Sequence, residues 1–170
     1  MGDNIEEQNS KSANLLVSLL IRYPELATVK FEPEARALRF TFLLRGNLNS
    51  HENQDSLARI ASYLKTYAAL TRQEPLVSQV STHRLGGMTV LEFQRDLATL
   101  NQEELSLIIT IVRQEFGPTL SSEENPSLGE EELLLQEEFI EEILEDIKIS
   151  QPDKYLIAFR EEGRVLVFNK

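Results

Sequence analysis

The chain predicts an α+β fold: a two-layer sandwich with a largely antiparallel sheet built from three β-hairpins and about four helices, in the order α-ββ-α-ββ-α-α-ββ. Three observations carry that expectation. Pairs of strand-length runs flank turn residues at Pro33–Glu34, Gly86–Gly87 and Glu161–Glu162–Gly163. Four longer segments repeat apolar residues at helical spacing. Helices of that kind must bury their apolar stripes, and a sheet made of hairpins offers the face on which to do so.

The first ten residues are polar and are expected to fray, leaving residues 11–170 as one domain. Ser10 or Ser12 can cap a helix running to Tyr23, with Leu15, Leu16, Leu19 and Leu20 on one face and Pro24 ending it. Strand runs follow at Thr28–Glu32 and Arg36–Arg45. In the second, Leu38, Phe40, Phe42 and Leu44 alternate with Arg39, Thr41, Leu43 and Arg45, the pattern of a half-buried antiparallel strand.

After a loop from Gly46 to Glu52, the segment Asn53–Thr71 carries Leu57, Ile60, Ala61, Leu64 and Ala68 at helical spacing. The Gly86–Gly87 hairpin then joins Leu76–Leu85 to Met88–Asp96. A two-residue loop there sets Val80 opposite Phe93 and Thr82 opposite Leu91 on one face. Ser81 opposite Glu92, and His83 opposite Val90, fall on the other.

The third helix has the strongest start signal. Asn101 caps it, Glu104 completes a capping box, and Leu100 can staple onto Leu105. Gly117–Pro118 stops it after Phe116. Residues 117–128 read as a loop and a candidate flexible joint. Ser127 and Glu130 form a second capping box, opening a helix to about Lys148. The final hairpin, Lys154–Phe159 and Arg164–Phe168, is apolar on both faces and belongs inside a sheet or an interface.

A chain of 170 residues is long enough to bury about 70% of its unfolded surface without metals or disulfides. It contains no cysteine, which excludes a disulfide framework, thiolate metal sites and a thiol nucleophile. With no membrane-length apolar run and no signal pattern at Met1–Asn9, the expected setting is cytoplasmic, with no membrane partner. The formal charge of −11 disfavours nucleic acid, whose binding rests on Lys and Arg neutralising phosphates. That charge is local. Twelve of the 28 acids lie between Gln114 and Ile147 with no Lys or Arg among them, leaving 16 acids against 17 bases elsewhere.

In the fourth helix, Glu137–Glu141, Glu138–Glu142, Glu141–Glu145 and Glu142–Asp146 are like-charge pairs, each costing about 0.2–0.5 kcal/mol. The opposite stripe of Phe139, Ile140, Ile143, Leu144 and Ile147 is expected to hold the helix down, at about 1.5–3 kcal/mol per buried side chain. The simplest reading of the acids is a solvated outer face. The functional reading is a docking face, Glu138, Glu141, Glu142 and Glu145, for a basic protein partner.

No catalytic residue, metal ligand or cofactor site is assigned. Ser81, His83 and Glu92 share a sheet face, but no nucleophile-elbow sequence accompanies them. The sequence therefore points first to a small acidic interaction or regulatory module that binds a basic protein, itself, or both. A hydrolase or divalent-metal enzyme, using helix-four acids gathered around Ser81, His83 or Glu92, is the second reading. A structural subunit of a homo-oligomer is the third.

Overall fold

The computed structural model describes residues 2–48, 50–122, 128–150 and 152–169. Helix α1 (Gly2–Arg22) leads into strands β1 (Leu26–Glu32) and β2 (Ala37–Arg45), then α2 (Ser50–Leu70), β3 (Ser78–Leu85) and β4 (Met88–Asp96). Helix α3 (Gln102–Phe116) and a short 3-10 turn (Gly117–Thr119) precede α4 (Glu130–Ile149), β5 (Leu156–Glu161) and β6 (Arg164–Asn169). The element order is the one expected, and the three hairpins merge into one antiparallel six-stranded sheet of order β3-β4-β2-β1-β5-β6.

One face of that sheet is the floor of the core. Phe40 lies opposite Phe93 and Phe42 opposite Leu91. The Phe40 and Phe93 rings stack at 5.4 Å, and Phe42 meets Phe93 edge-on at 5.7 Å, both favoured aromatic geometries. Val29, Phe31, Leu38, Leu156 and Ala158 extend this face and share one buried cluster with the apolar stripes of all four helices. The other face carries Arg39, Thr41, Leu43, Glu92 and Lys30, and no helix among the described residues packs on it.

Several local expectations are corrected. The helix expected to start at Ser10 or Ser12 is already formed at Gly2. Asn9, in the stretch expected to fray, is buried and donates to Asp153 at 3.0 Å. The end of α1 is held by Arg160, which donates to the carbonyls of Leu20, Tyr23 (2.9 Å) and Leu26 (3.1 Å). A guanidinium there satisfies carbonyls that a helix end leaves orphaned. The last hairpin closes through two loop residues, Glu162 and Gly163, both at positive φ (50° and 76°), and not through three.

The capping box expected at α3 is only half formed. The Asn101 side chain accepts the Glu104 N–H at 2.8 Å, but the Glu104 carboxylate turns to Arg95, reached through Nη2 at 2.7 Å and through Nε. Arg95 sits on the core face of β4, opposite Leu38, and is only 1% exposed. Its remaining donors go to Asp96 (2.5 Å), Thr99 (3.0 Å) and the Val77 carbonyl (3.2 Å). A buried cation with all three guanidinium nitrogens engaged is the arrangement that makes such burial tolerable.

The loop after α3 begins tethered. Leu120 bridges to Leu44, and the Ser121 N–H donates to the Leu43 carbonyl at 2.8 Å. The expected Ser127 cap of α4 falls outside the described residues. Gly129 occupies the N-cap position, its N–H donating to the Glu132 carboxylate at 3.3 Å.

Candidate functional site

Helix α4 lies against α1 and α3, on the helical side of the sheet. Ile140, Ile143, Leu144 and Ile147 are its buried residues. Phe139, expected in that stripe, is 44% exposed. Each helical residue turns by about 100°, so Phe139 lies a quarter-turn or more from Ile140 and beyond Ile143, outside the arc the core can cover.

The four candidate docking acids fall into three environments. Glu138 and Glu142 are exposed and make no hydrogen bond or ion pair among the described residues. Glu145 is exposed and pairs with Lys148 at 3.0 Å. Glu141 is half-buried and accepts the backbone N–H of Gln102 at 2.9 Å, the first residue of α3. Two neighbouring acids also serve the fold. Glu137 binds Arg22 at 2.6 Å, and Asp146 stands 3.7 Å from Lys11.

The outer face of α4 is not purely acidic. Leu134, Leu135, Phe139 and Ile149 are exposed along it. Leu135, Glu138, Phe139 and Glu142 follow the i, i+3, i+4, i+7 spacing that brings side chains together on one face. Beside this stripe, Leu134, Glu137, Glu138 and Glu141 join Asn101, Gln102 and Glu103 around a shallow groove of about 390 Å³. Sequence reasoning missed Leu134 and Leu135. Their signal was available, since neither shares the register of the Ile140–Ile143–Leu144–Ile147 stripe.

Ser81 and His83 lie opposite Glu92 and Val90, in the expected register, on the sheet face that carries no helix. Glu92 is engaged by Arg39 at 3.2 Å, and Arg39 also holds Glu32 at 3.0 Å. No hydrogen bond joins Ser81, His83 and Glu92 among the described residues. The acids of α4 stand on the other side of the sheet, so the gathering that an enzymatic reading required does not form. Nor do three or more His, Asp or Glu side chains cluster as a metal-binding group among the described residues. Next to His83, an open pocket of about 480 Å³ is lined largely by apolar groups, including Leu43, Leu85, Val90 and Phe159.

No helix among the described residues is long and apolar enough to cross a membrane. No protein-family model matches the chain, and neither the curated proteins nor the solved structures compared with it contain a match.

Proposed function

We propose that the protein is a cytoplasmic interaction module whose α4 docks a basic, amphipathic segment of a partner protein. The observation that carries this reading is the stripe in which exposed Leu135 and Phe139 alternate with the carboxylates of Glu138 and Glu142, unpaired among the described residues. A solvated face needs charge but not exposed leucine and phenylalanine. A docking face uses both: apolar groups for affinity, and charge for partner choice and encounter rate. A helix bearing Lys or Arg beside Leu or Phe at the same spacing is the complement. Glu145 lies one turn further on as a charged rim, while Glu141 is committed to α3. The cysteine-free composition supports a cytoplasmic setting.

Fluorescence anisotropy with a labelled synthetic Lys/Leu amphipathic peptide tests this reading across a salt series. Binding is expected to weaken with salt, and to fall about tenfold or more in Glu138→Lys/Glu142→Lys and in Phe139→Ser. Equal binding by the unmodified chain and both variants would refute the assignment to α4.

A further inference from the structure

We infer that the chain self-associates through β6, a second copy laying its own β6 antiparallel to the first so that one sheet continues through both. Strand β6 ends the strand order, with no neighbour beyond it among the described residues. The Glu162–Gly163 loop closes on the pair Glu161–Arg164, and in a two-residue hairpin that pair exchanges both of its backbone hydrogen bonds. Alternation along the ladder then commits Leu166 and Phe168 to β5. It turns the N–H and C=O groups of Val165, Val167 and Asn169 toward the free side. None of these groups makes a further backbone hydrogen bond among the described residues.

The two edges of the sheet are built differently. An edge that stays unpaired is normally protected by charge, proline or a bulge. Strand β3, at the far edge, is polar along its middle, with exposed Ser81 and His83 followed by the charged Arg84. Strand β6 has no charge between Val165 and Phe168, and Phe168 is 54% exposed where it stacks on Phe159 at 5.5 Å.

A second copy is the occupant this edge fits. A two-fold axis at Val167 sets Val165 opposite the second copy's Asn169 and Leu166 opposite its Phe168, since facing residues of an antiparallel pair share a sheet face. Every outward-facing group named above then finds a partner, and each Phe168 covers the other copy's Leu166. Strand β6 holds no acid, so the contact brings none of the chain's −11 charge together at the strand. One short strand buries less than the roughly 1,200–2,000 Å² of a standard stable interface. The dimer is therefore expected to be concentration-dependent.

Sedimentation equilibrium of the full chain, from micromolar to submillimolar concentration, should show a mass rising from 19.4 kDa toward twice that value. Val167→Pro removes an outward N–H without touching the β5 ladder and should weaken association about tenfold or more. The absence of native cysteine makes cross-linking clean. Val167→Cys should form an intermolecular disulfide on mild oxidation and His83→Cys, on β3, should not. A mass fixed at one chain, association unchanged by Val167→Pro, or His83→Cys cross-linking as readily as Val167→Cys would each overturn the inference. If Val167→Pro fails to fold by circular dichroism, the two cysteine variants decide: selective cross-linking at Val167 supports the dimer, and none refutes it.

Discussion

The Glu141 carboxylate on α4 accepts the backbone N–H of Gln102 at 2.9 Å, capping α3 from a neighbouring helix. Asn101 caps the same terminus from within, through the Glu104 N–H. A negative group at a helix N-terminus is favoured by both the orphaned donors and the dipole. One member of the most acidic segment is therefore part of the fold, although in sequence it is indistinguishable from Glu138 or Glu142.

Glu141→Ala is accordingly expected to cost about 1 kcal/mol of stability, the usual value of a lost cap. Glu141→Gln, which keeps an acceptor, should recover part of it. Glu138→Ala and Glu142→Ala should stay within about 0.5 kcal/mol of the parent. Urea denaturation midpoints read all four, and equal effects at the three positions would contradict the capping role.

Phe139 and Ile140 are neighbours in sequence on opposite sides of a boundary. Ile140→Ala empties a fully buried position and should cost about 2–5 kcal/mol. Phe139→Ala should cost well under half of that, while removing a contact the proposed partner would use. The same melts, set beside peptide binding, separate the two effects.

Arg95 and Glu104 are 1% and 4% exposed and face each other across the β4–α3 junction. Arg95 is shared by Glu104 and the buried Asp96. Arg95→Ala therefore strands two buried carboxylates and should cost about 3–5 kcal/mol. After Glu104→Ala the cation keeps Asp96, and the cost should be smaller. The double substitution Arg95→Met/Glu104→Leu should be less damaging than Arg95→Met alone, because it also removes one of the two carboxylates that the single change strands. A double-mutant cycle in guanidinium chloride measures the coupling.

Asp96 supplies an acid-sensitive element. Burial pushes its carboxyl up, but hydrogen bonds from the Val77 and Thr99 N–H groups and the Thr99 hydroxyl, with Arg95 beside it, outweigh burial and hold it below the ordinary range. The unfolded chain takes up this proton near pH 4. The stabilisation is thus fully present above about pH 4 and is lost as the pH falls through the lower folded value. Asp96→Asn should lose stability at neutral pH and show a flatter acid limb. Stability measured from about pH 7 down to about pH 3 tests this, and an unchanged acid limb would exclude Asp96 as a contributor.

Much of the architecture was legible because it rests on periodicity. The alternation from Leu38 to Arg45 and the Gly86–Gly87 turn led to the observed faces and to the register of Ser81 with Glu92. The stripe of Ile140, Ile143, Leu144 and Ile147 likewise led to the buried side of α4. The misreadings came where a local rule competed with a distant partner. Glu104 has the spacing of a capping-box residue, yet a buried guanidinium from β4 is the stronger attraction for its carboxylate. Phe139 is apolar enough for the core, but the arc that α1 and α3 can cover ends before it.

By itself the sequence determined the number, kind and order of the elements and the inward face of most of them, because side-chain periodicity and turn chemistry are local properties. It also located the negative charge on one helix. Only the tertiary structure decided the strand order, which left β6 rather than an interior strand at an edge, and the separation of the α4 acids from Ser81, His83 and Glu92 on opposite sides of the sheet. It alone sorted those acids into cap, ion-pair partners and open surface. That sorting depends on which residues from elsewhere in the chain, Gln102, Arg22, Lys11 and Lys148, come within hydrogen-bond or ion-pair reach of each carboxylate.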